Sequence, residues 1–329
     1  MNPFLLLLLS GFVQAAFGLP VKYFRRWRWE QMWVAQSVTS NVLFPLLWAA
    51  LLPPEFWRLA ARLPGSEWLA LYGFGLLWGI GGVGYGLTLT RLGLAFSYSF
   101  VFGTTTLTGA LLPLLLRMVE RPARPALFAA GLVLGLLGIV ATGLLQRGGE
   151  RKSDLPMPLG PPSYGSAVAI AIAAGVFSAS YGLAFSYGFP AVRELMEGGI
   201  PSAMAPVMVA LPMYAGAASV AVPVGLACAV RSGSLGLFYG AGARRNWALA
   251  LAMGLCGVGG VLLYGYGGSA PGHPSPNVSF GIYMTFFVLA GNAFGVAAGE
   301  LRGRPRAVVA MWLASTGVLI GAAWLLNVR

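Results

Sequence analysis

Ten apolar stretches, each long enough to cross a bilayer, follow one another along this chain, set apart by short charged or Pro/Gly-rich breaks. They fall at 3–21, 31–52, 67–88, 92–116, 126–145, 165–188, 203–230, 247–267, 278–299 and 306–326. A helix needs ~20 apolar residues to cross the hydrocarbon core, whereas a barrel strand is ~10 residues of alternating polarity. Only 9% of the 329 residues are charged, against roughly 25% in a soluble domain, so these side chains cannot cover a water-soluble surface. The 47 glycines fit the same picture, because close helix contacts in lipid favour small residues. The expectation is an all-α membrane protein with ten transmembrane helices.

Charge decides the orientation. No positive residue precedes the first run, as a secretory signal would require, and Lys22, Arg25, Arg26 and Arg28 follow it. Residues 3–21 therefore read as a retained span. Loops after odd-numbered spans hold fourteen Lys and Arg, and the even loops and termini seven. The positive-inside rule places the odd loops in the cytoplasm and both termini outside. These loops account for the net charge of +12, and no nucleic-acid partner is implied. Residues 54–63 are amphipathic and read as interfacial.

The two halves resemble each other. Gly11-Phe12-Val13-Gln14-Ala15-Ala16-Phe17-Gly18-Leu19 matches Gly175-Val176-Phe177-Ser178-Ala179-Ser180-Tyr181-Gly182-Leu183, and Gly79-Ile80-Gly81-Gly82-Val83 matches Gly257-Val258-Gly259-Gly260-Val261. Pro45 and Pro223 share the offset of the second pair and read as matching kinks. Residues 1–150 are expected to form one five-helix repeat and 165–329 another, joined by a cytoplasmic linker at 151–164. An odd number of crossings turns the second copy upside down. Inverted repeats are a recurring carrier architecture, with the substrate near the midplane between the copies.

Several blocks also resemble a known family: Trp27-Arg28-Trp29-Glu30-Gln31-Met32-Trp33 after the basic loop, Trp78-Gly79-Ile80-Gly81 with Tyr85-Gly86-Leu87-Thr88, Gly175-Val176-Phe177-Ser178-Ala179, and Phe287-Val288-Leu289-Ala290-Gly291. They are similar to the L-rhamnose–proton symporter family of the drug/metabolite transporter superfamily. The resemblance implies a ten-helix inner-membrane protein that takes up a 6-deoxy-hexose with a proton. The alternative is an exporter of the same superfamily, or a carrier of another small polar metabolite.

A sugar in a dry pocket needs partners for its hydroxyls, since each left unpaired costs about 1–3 kcal/mol, and an apolar surface for its ring. Candidates within the spans are Gln14, Asn41, Trp78, Tyr85, Tyr98, Ser178, Tyr181, Tyr264, Tyr283 and Asn292. Seven-residue spacing puts Trp78 and Tyr85 on one helix face, and Gln14 and Ser178 hold matching positions in the two halves. The competing role for each is a hydrogen bond between helices, worth about 0.6–2 kcal/mol. No acid lies mid-span. Glu30, where span 2 begins, and Glu300, where span 9 ends, are the acids placed for proton coupling or gating, although a cationic loop also suits Glu30 as an ordinary interfacial ion pair.

An enzyme needs a positioned acid, base or metal. One loop histidine, His273, and two cysteines without metal-ligand spacing supply none. Gly79-x-Gly81-x-x-Gly84 lies inside a span with no strand before it, so it reads as helix packing rather than a dinucleotide loop. No cofactor is expected. The expected partners are a sugar, a proton and the lipid bilayer.

Overall fold

The computed structural model describes residues 2–116, 124–146, 163–272, 276–299 and 301–327. Among them the chain is helical and holds no strand. In order the helices are α1 (Pro3–Ala16), α2 (Trp29–Val38), α3 (Phe44–Ala50), α4 (Pro54–Ala60), α5 (Gly65–Leu92), α6 (Leu94–Ser97), α7 (Gly103–Leu115), α8 (Pro125–Gln146), α9 (Tyr164–Ser178), α10 (Ser180–Glu197), α11 (Val207–Arg231), α12 (Ala243–Ser269), α13 (Pro276–Ala297) and α14 (Arg306–Asn327). Most of the expected linker, together with His273 and Glu300, lies outside the described residues.

Seven helical segments are long and apolar enough to cross a membrane: Pro3–Tyr23, Gly65–Thr90, Tyr98–Leu115, Tyr164–Glu197, Val207–Arg231, Ala243–Ser269 and Ser279–Ala297. An eighth candidate, Trp29–Ala50, is followed after a short break by α4, bent away by 111°. Pro125–Ala141 and Arg306–Ala322 are shorter apolar helices. The chain is a multi-pass membrane protein.

Local chemistry sets several boundaries. Asn2 caps α1, its side chain accepting from the Phe4 amide at 2.9 Å. The break expected at Arg91 falls instead at Gly93, whose φ of 79° ends α5 and starts α6; a left-handed residue there favours glycine. The run at 31–52 is interrupted. Pro45 has no N–H to offer the carbonyl of Asn41, and the Phe44 amide reaches back to Thr39, so a π-turn at Thr39–Leu43 joins α2 to α3. A second π-turn, Tyr98–Phe102, joins α6 to α7. Pro223 lies within the single helix α11, which shows no such turn. Helix α4 is amphipathic as expected, with Phe56 and Ala60 buried and Glu55 and Arg58 exposed.

Helix α1 packs on α12 and α13, α9 packs on α5, α7 and the π-turn at Tyr98–Phe102, and α5 packs on α11. Helix α2 also packs on α11 and α12, and α8 lies along α14. Glycines let the backbones meet. A Cβ at Gly11 would lie 2.7 Å from the Tyr283 carbonyl oxygen, and one at Gly175 would lie 2.5 Å from the Val101 carbonyl oxygen. These two glycines are aligned in the sequence repeat, and each brings its helix against a later helix of the opposite half.

Candidate functional site

Where α1, α2, α5, α10, α11 and α13 converge, the bundle holds a cavity of about 830 Å³ including its mouth. One part of its lining is polar and comes mainly from α2 and its π-turn. There the Gln36 Nε2 donates to Ser40 Oγ at 2.6 Å, Ser37 Oγ donates to Gln36 Oε1 at 3.3 Å, and Ser40 Oγ is 3.2 Å from Asn41 Oδ1. Thr39 turns the other way and donates to the Ala250 carbonyl at 2.8 Å, tying the π-turn to α12. The wider π-turn thus splits consecutive polar residues between the cavity and a neighbouring helix.

The rest is largely aromatic. Trp78 stands 5.7 Å from Tyr181 and 5.5 Å from Tyr214, ring centre to ring centre. Across the cavity Tyr85 meets Phe17 at 6.2 Å and Phe102 at 5.1 Å, while Tyr283 stacks on Phe287 at 5.7 Å. Such rings suit the apolar face of a sugar or another ring. Among the described residues, no charged side chain lines the cavity.

Four polar atoms on lining residues have no hydrogen-bond partner in the protein: Gln14 Oε1, Trp33 Nε1, Tyr181 Oη and Tyr214 Oη. Their residues are 9%, 3%, 5% and 2% exposed. Buried polar groups are almost always paired, so one acceptor, one donor and two hydroxyls left over on residues that line one cavity make it the candidate site for a hydrogen-bonding ligand. They come from α1, α2, α10 and α11, two from each half of the chain.

Of the residues expected from sequence, Gln14, Asn41, Trp78, Tyr85, Ser178, Tyr181 and Tyr283 line the cavity. Tyr98, Tyr264 and Asn292 stand outside its lining. The Tyr98 hydroxyl donates to the Ala15 carbonyl at 2.6 Å. Tyr264 packs behind Tyr181 at 5.4 Å and Tyr283 at 4.9 Å. Asn292 accepts from Ser99 at 3.2 Å. The sequence reading did not single out Trp33, Gln36, Ser37, Ser40 or Tyr214. The signal for three of them was present: Gln31, Gln36, Ser37, Thr39, Ser40 and Asn41 crowd one otherwise apolar span.

Glu30 is not an exposed interfacial charge. It is fully buried at the start of α2. Its Oε1 is 3.1 Å from Arg28 Nε and accepts from Ser232 Oγ at 2.7 Å and Ser234 Oγ at 3.0 Å; Oε2 has no hydrogen-bond partner. Next to it, Gln31 Nε2 donates to Ser234 Oγ at 2.6 Å. The Trp27 indole donates to the Leu237 carbonyl at 2.8 Å, and Asn246 Nδ2 to the Arg25 carbonyl at 2.8 Å. The loop before α2 is thereby bound to the segment between α11 and α12.

A polytopic helical bundle enclosing an uncharged, aromatic, hydrogen-bonding cavity has the features of a membrane carrier for small polar molecules. The chain belongs to the L-rhamnose-proton symport protein (RhaT) family, whose model matches residues 4–328, a family of transport proteins rather than enzymes. It is similar to the L-rhamnose-proton symporter of Cronobacter sakazakii, 26% identical over 327 residues that cover 94% of this chain and 92% of the relative. The symporter of the same name from Citrobacter koseri is 25% identical with the same coverage. A solved crystal structure shares the fold, with a TM-score of 0.54 at 16% identity over 98% of this chain and 95% of that one.

Proposed function

We propose that this protein takes up L-rhamnose, or a closely related neutral sugar, together with a proton by alternating access. Family membership supports the transport class. The observation that carries the reading is the cavity itself, with four unpartnered buried polar groups set among rings and no charge in the wall. That lining suits a molecule with several hydroxyls and an apolar face, and disfavours an anion or cation, which would be buried unpaired. Gln14, Asn41, Trp78, Tyr85, Ser178, Tyr181 and Tyr283 contact the sugar in this reading. Tyr98, Tyr264 and Asn292 hold the wall from behind.

The same reading takes the protein as ten spans in two inverted five-helix units, 1–150 and 165–329, around a linker at 151–164. The helix neighbours support it. The pairing of α1 with α12 and α13 is matched by that of α9 with α5 and α7, and the pairing of α5 with α11 by that of α12 with α2. Exchanging the two halves therefore leaves the pattern of neighbours intact, as a pseudo-twofold axis in the membrane plane requires. Both termini lie outside a bacterial-type inner membrane in this arrangement. Glu30 and Glu300 are its candidate coupling acids.

Counterflow of labelled L-rhamnose in proteoliposomes tests the function. Saturable exchange is expected, competed by other 6-deoxy-hexoses but not by uronic acids or amino sugars, with net accumulation when a pH gradient is imposed. Absence of exchange with any deoxy-hexose would overturn the assignment.

A further inference from the structure

We infer that Glu30 is a proton-binding site of the cycle and also the latch of one of the two gates. This rests on the carrier reading above. Among the described residues Glu30 is the only buried Asp or Glu; Glu55, Glu194 and Glu197 are exposed and Glu67 is half-buried.

The two ends of the bundle are held together differently. Helix α11 runs from one to the other. At its C-terminal end Glu30, Gln31, Ser232 and Ser234 join the loop before α2 to the segment after α11, so the contact ties one half of the chain to the other. At its N-terminal end α4 lies on α10, with Leu59 beside Gly198 and Leu52, Phe56, Ala60, Leu63, Leu195 and Ile200 buried. The ion pairs there, Arg58–Glu55 and Arg193–Glu197, are both largely exposed.

Glu30 is built to take up a proton without losing its place. Oε1 holds three partners and Oε2 none. A proton adding to Oε2 turns the carboxylate into a neutral acid, which ends the attraction that holds Arg28, whose side chain is 29% exposed and can turn to water. It also weakens the bonds from Ser232 and Ser234 across the two halves, because a neutral oxygen accepts less strongly than a carboxylate. The latch then opens. On return the acid gives the same proton to water, and the Arg28 pair re-forms. Cys228 feels the charges of both Glu30 and Arg231, and Arg231 is exposed.

Helix α2 connects this event to the cavity. Trp33 lies one turn beyond Glu30 and stacks on Trp29 with the rings 6.0 Å apart and 6° from parallel. Gln36, Ser40 and Asn41 follow along the cavity wall. A shift of the first turn of α2 therefore moves the donors that face the sugar.

The test pairs a transport assay with a readout that needs no sugar. Glu30→Gln keeps the size of the side chain and mimics the protonated state. It is expected to lose accumulation driven by a pH gradient to a far greater degree than L-rhamnose counterflow, and Glu30→Asp to regain some of that accumulation. In hydrogen–deuterium exchange, corrected for intrinsic rates, segments 22–31 and 232–242 of the unaltered protein should exchange faster in acidic than in alkaline buffer. In Glu30→Gln they should be fast in both. Undiminished accumulation by Glu30→Gln, joint loss of counterflow and accumulation in both variants, or exchange insensitive to pH and to the variant would each overturn the inference. If the unaltered protein exchanges no rhamnose, the sugar assignment fails, and the deuterium measurement alone decides the latch.

Discussion

A phenol or indole buried without a partner has given up its hydrogen bond to water and received nothing from the protein, so a ligand that pairs it recovers the loss. Tyr181→Phe and Tyr214→Phe each remove one such hydroxyl. A neutral hydrogen bond is worth about 0.5–1.5 kcal/mol, so each variant should raise the half-saturation concentration for L-rhamnose about two- to tenfold, with the unfolding temperature unchanged or slightly higher. Tyr98→Phe is the contrasting case. It deletes the 2.6 Å bond to the Ala15 carbonyl, which keeps the Gly18 amide at 3.3 Å, and the loss of one such hydrogen bond costs about 0.5–1.5 kcal/mol of stability. Thermal unfolding in detergent should register it, while the half-saturation concentration stays near that of the unaltered protein. The sequence could not separate Tyr98 from Tyr85. Both sit mid-span, and in helices apolar all round nothing in the pattern says which buried face meets a cavity and which meets a neighbour. The legible cue was polar density: the six polar residues crowded between Gln31 and Asn41 mark the helix that supplies much of the polar wall.

Helix packing here is governed by backbone proximity more than by side-chain fit. Gly11→Ala and Gly175→Ala each place a methyl group within 2.7 Å of a carbonyl oxygen on another helix, and overpacking of this kind costs about 1–3 kcal/mol. Both should lower the unfolding temperature in detergent, whereas Gly73→Ala, with nothing within 4 Å of the added carbon, should be neutral or slightly stabilising. Most of the helices were legible because lipid demands long apolar runs. Their interruptions were only partly so. Pro45 marked a kink, yet the π-turn it accompanies also needs the Phe44 amide to reach Thr39, and no spacing rule reveals that. The continuation of the sixth run beyond residue 188 to Glu197 was missed because Arg193, Glu194 and Glu197 read as loop charge; they instead decorate the exposed last turns of α10.

At the level of the whole molecule, the swapped helix neighbours make a topological claim that labelling can check. Single cysteines placed at Arg26 and Arg244 should react from one side of the membrane, and those at Arg58 and Arg193 from the other. Reaction of all four from the same side would rule out the inverted arrangement. The proposed repeat has its sequence signature in the aligned glycines, since a backbone contact leaves no room for a larger side chain; the contacts of Glu30 with Ser232 and Ser234 have none, because they join loops with no common pattern. The uncharged wall of the cavity has an electrical consequence. A neutral sugar crossing within it carries no charge through the transmembrane field, which acts on each elementary charge with about 2.3 kcal/mol per 100 mV. Voltage then acts on the proton-carrying step and not on the sugar itself, so polarising the membrane should speed net uptake while leaving exchange of sugar for sugar unaltered.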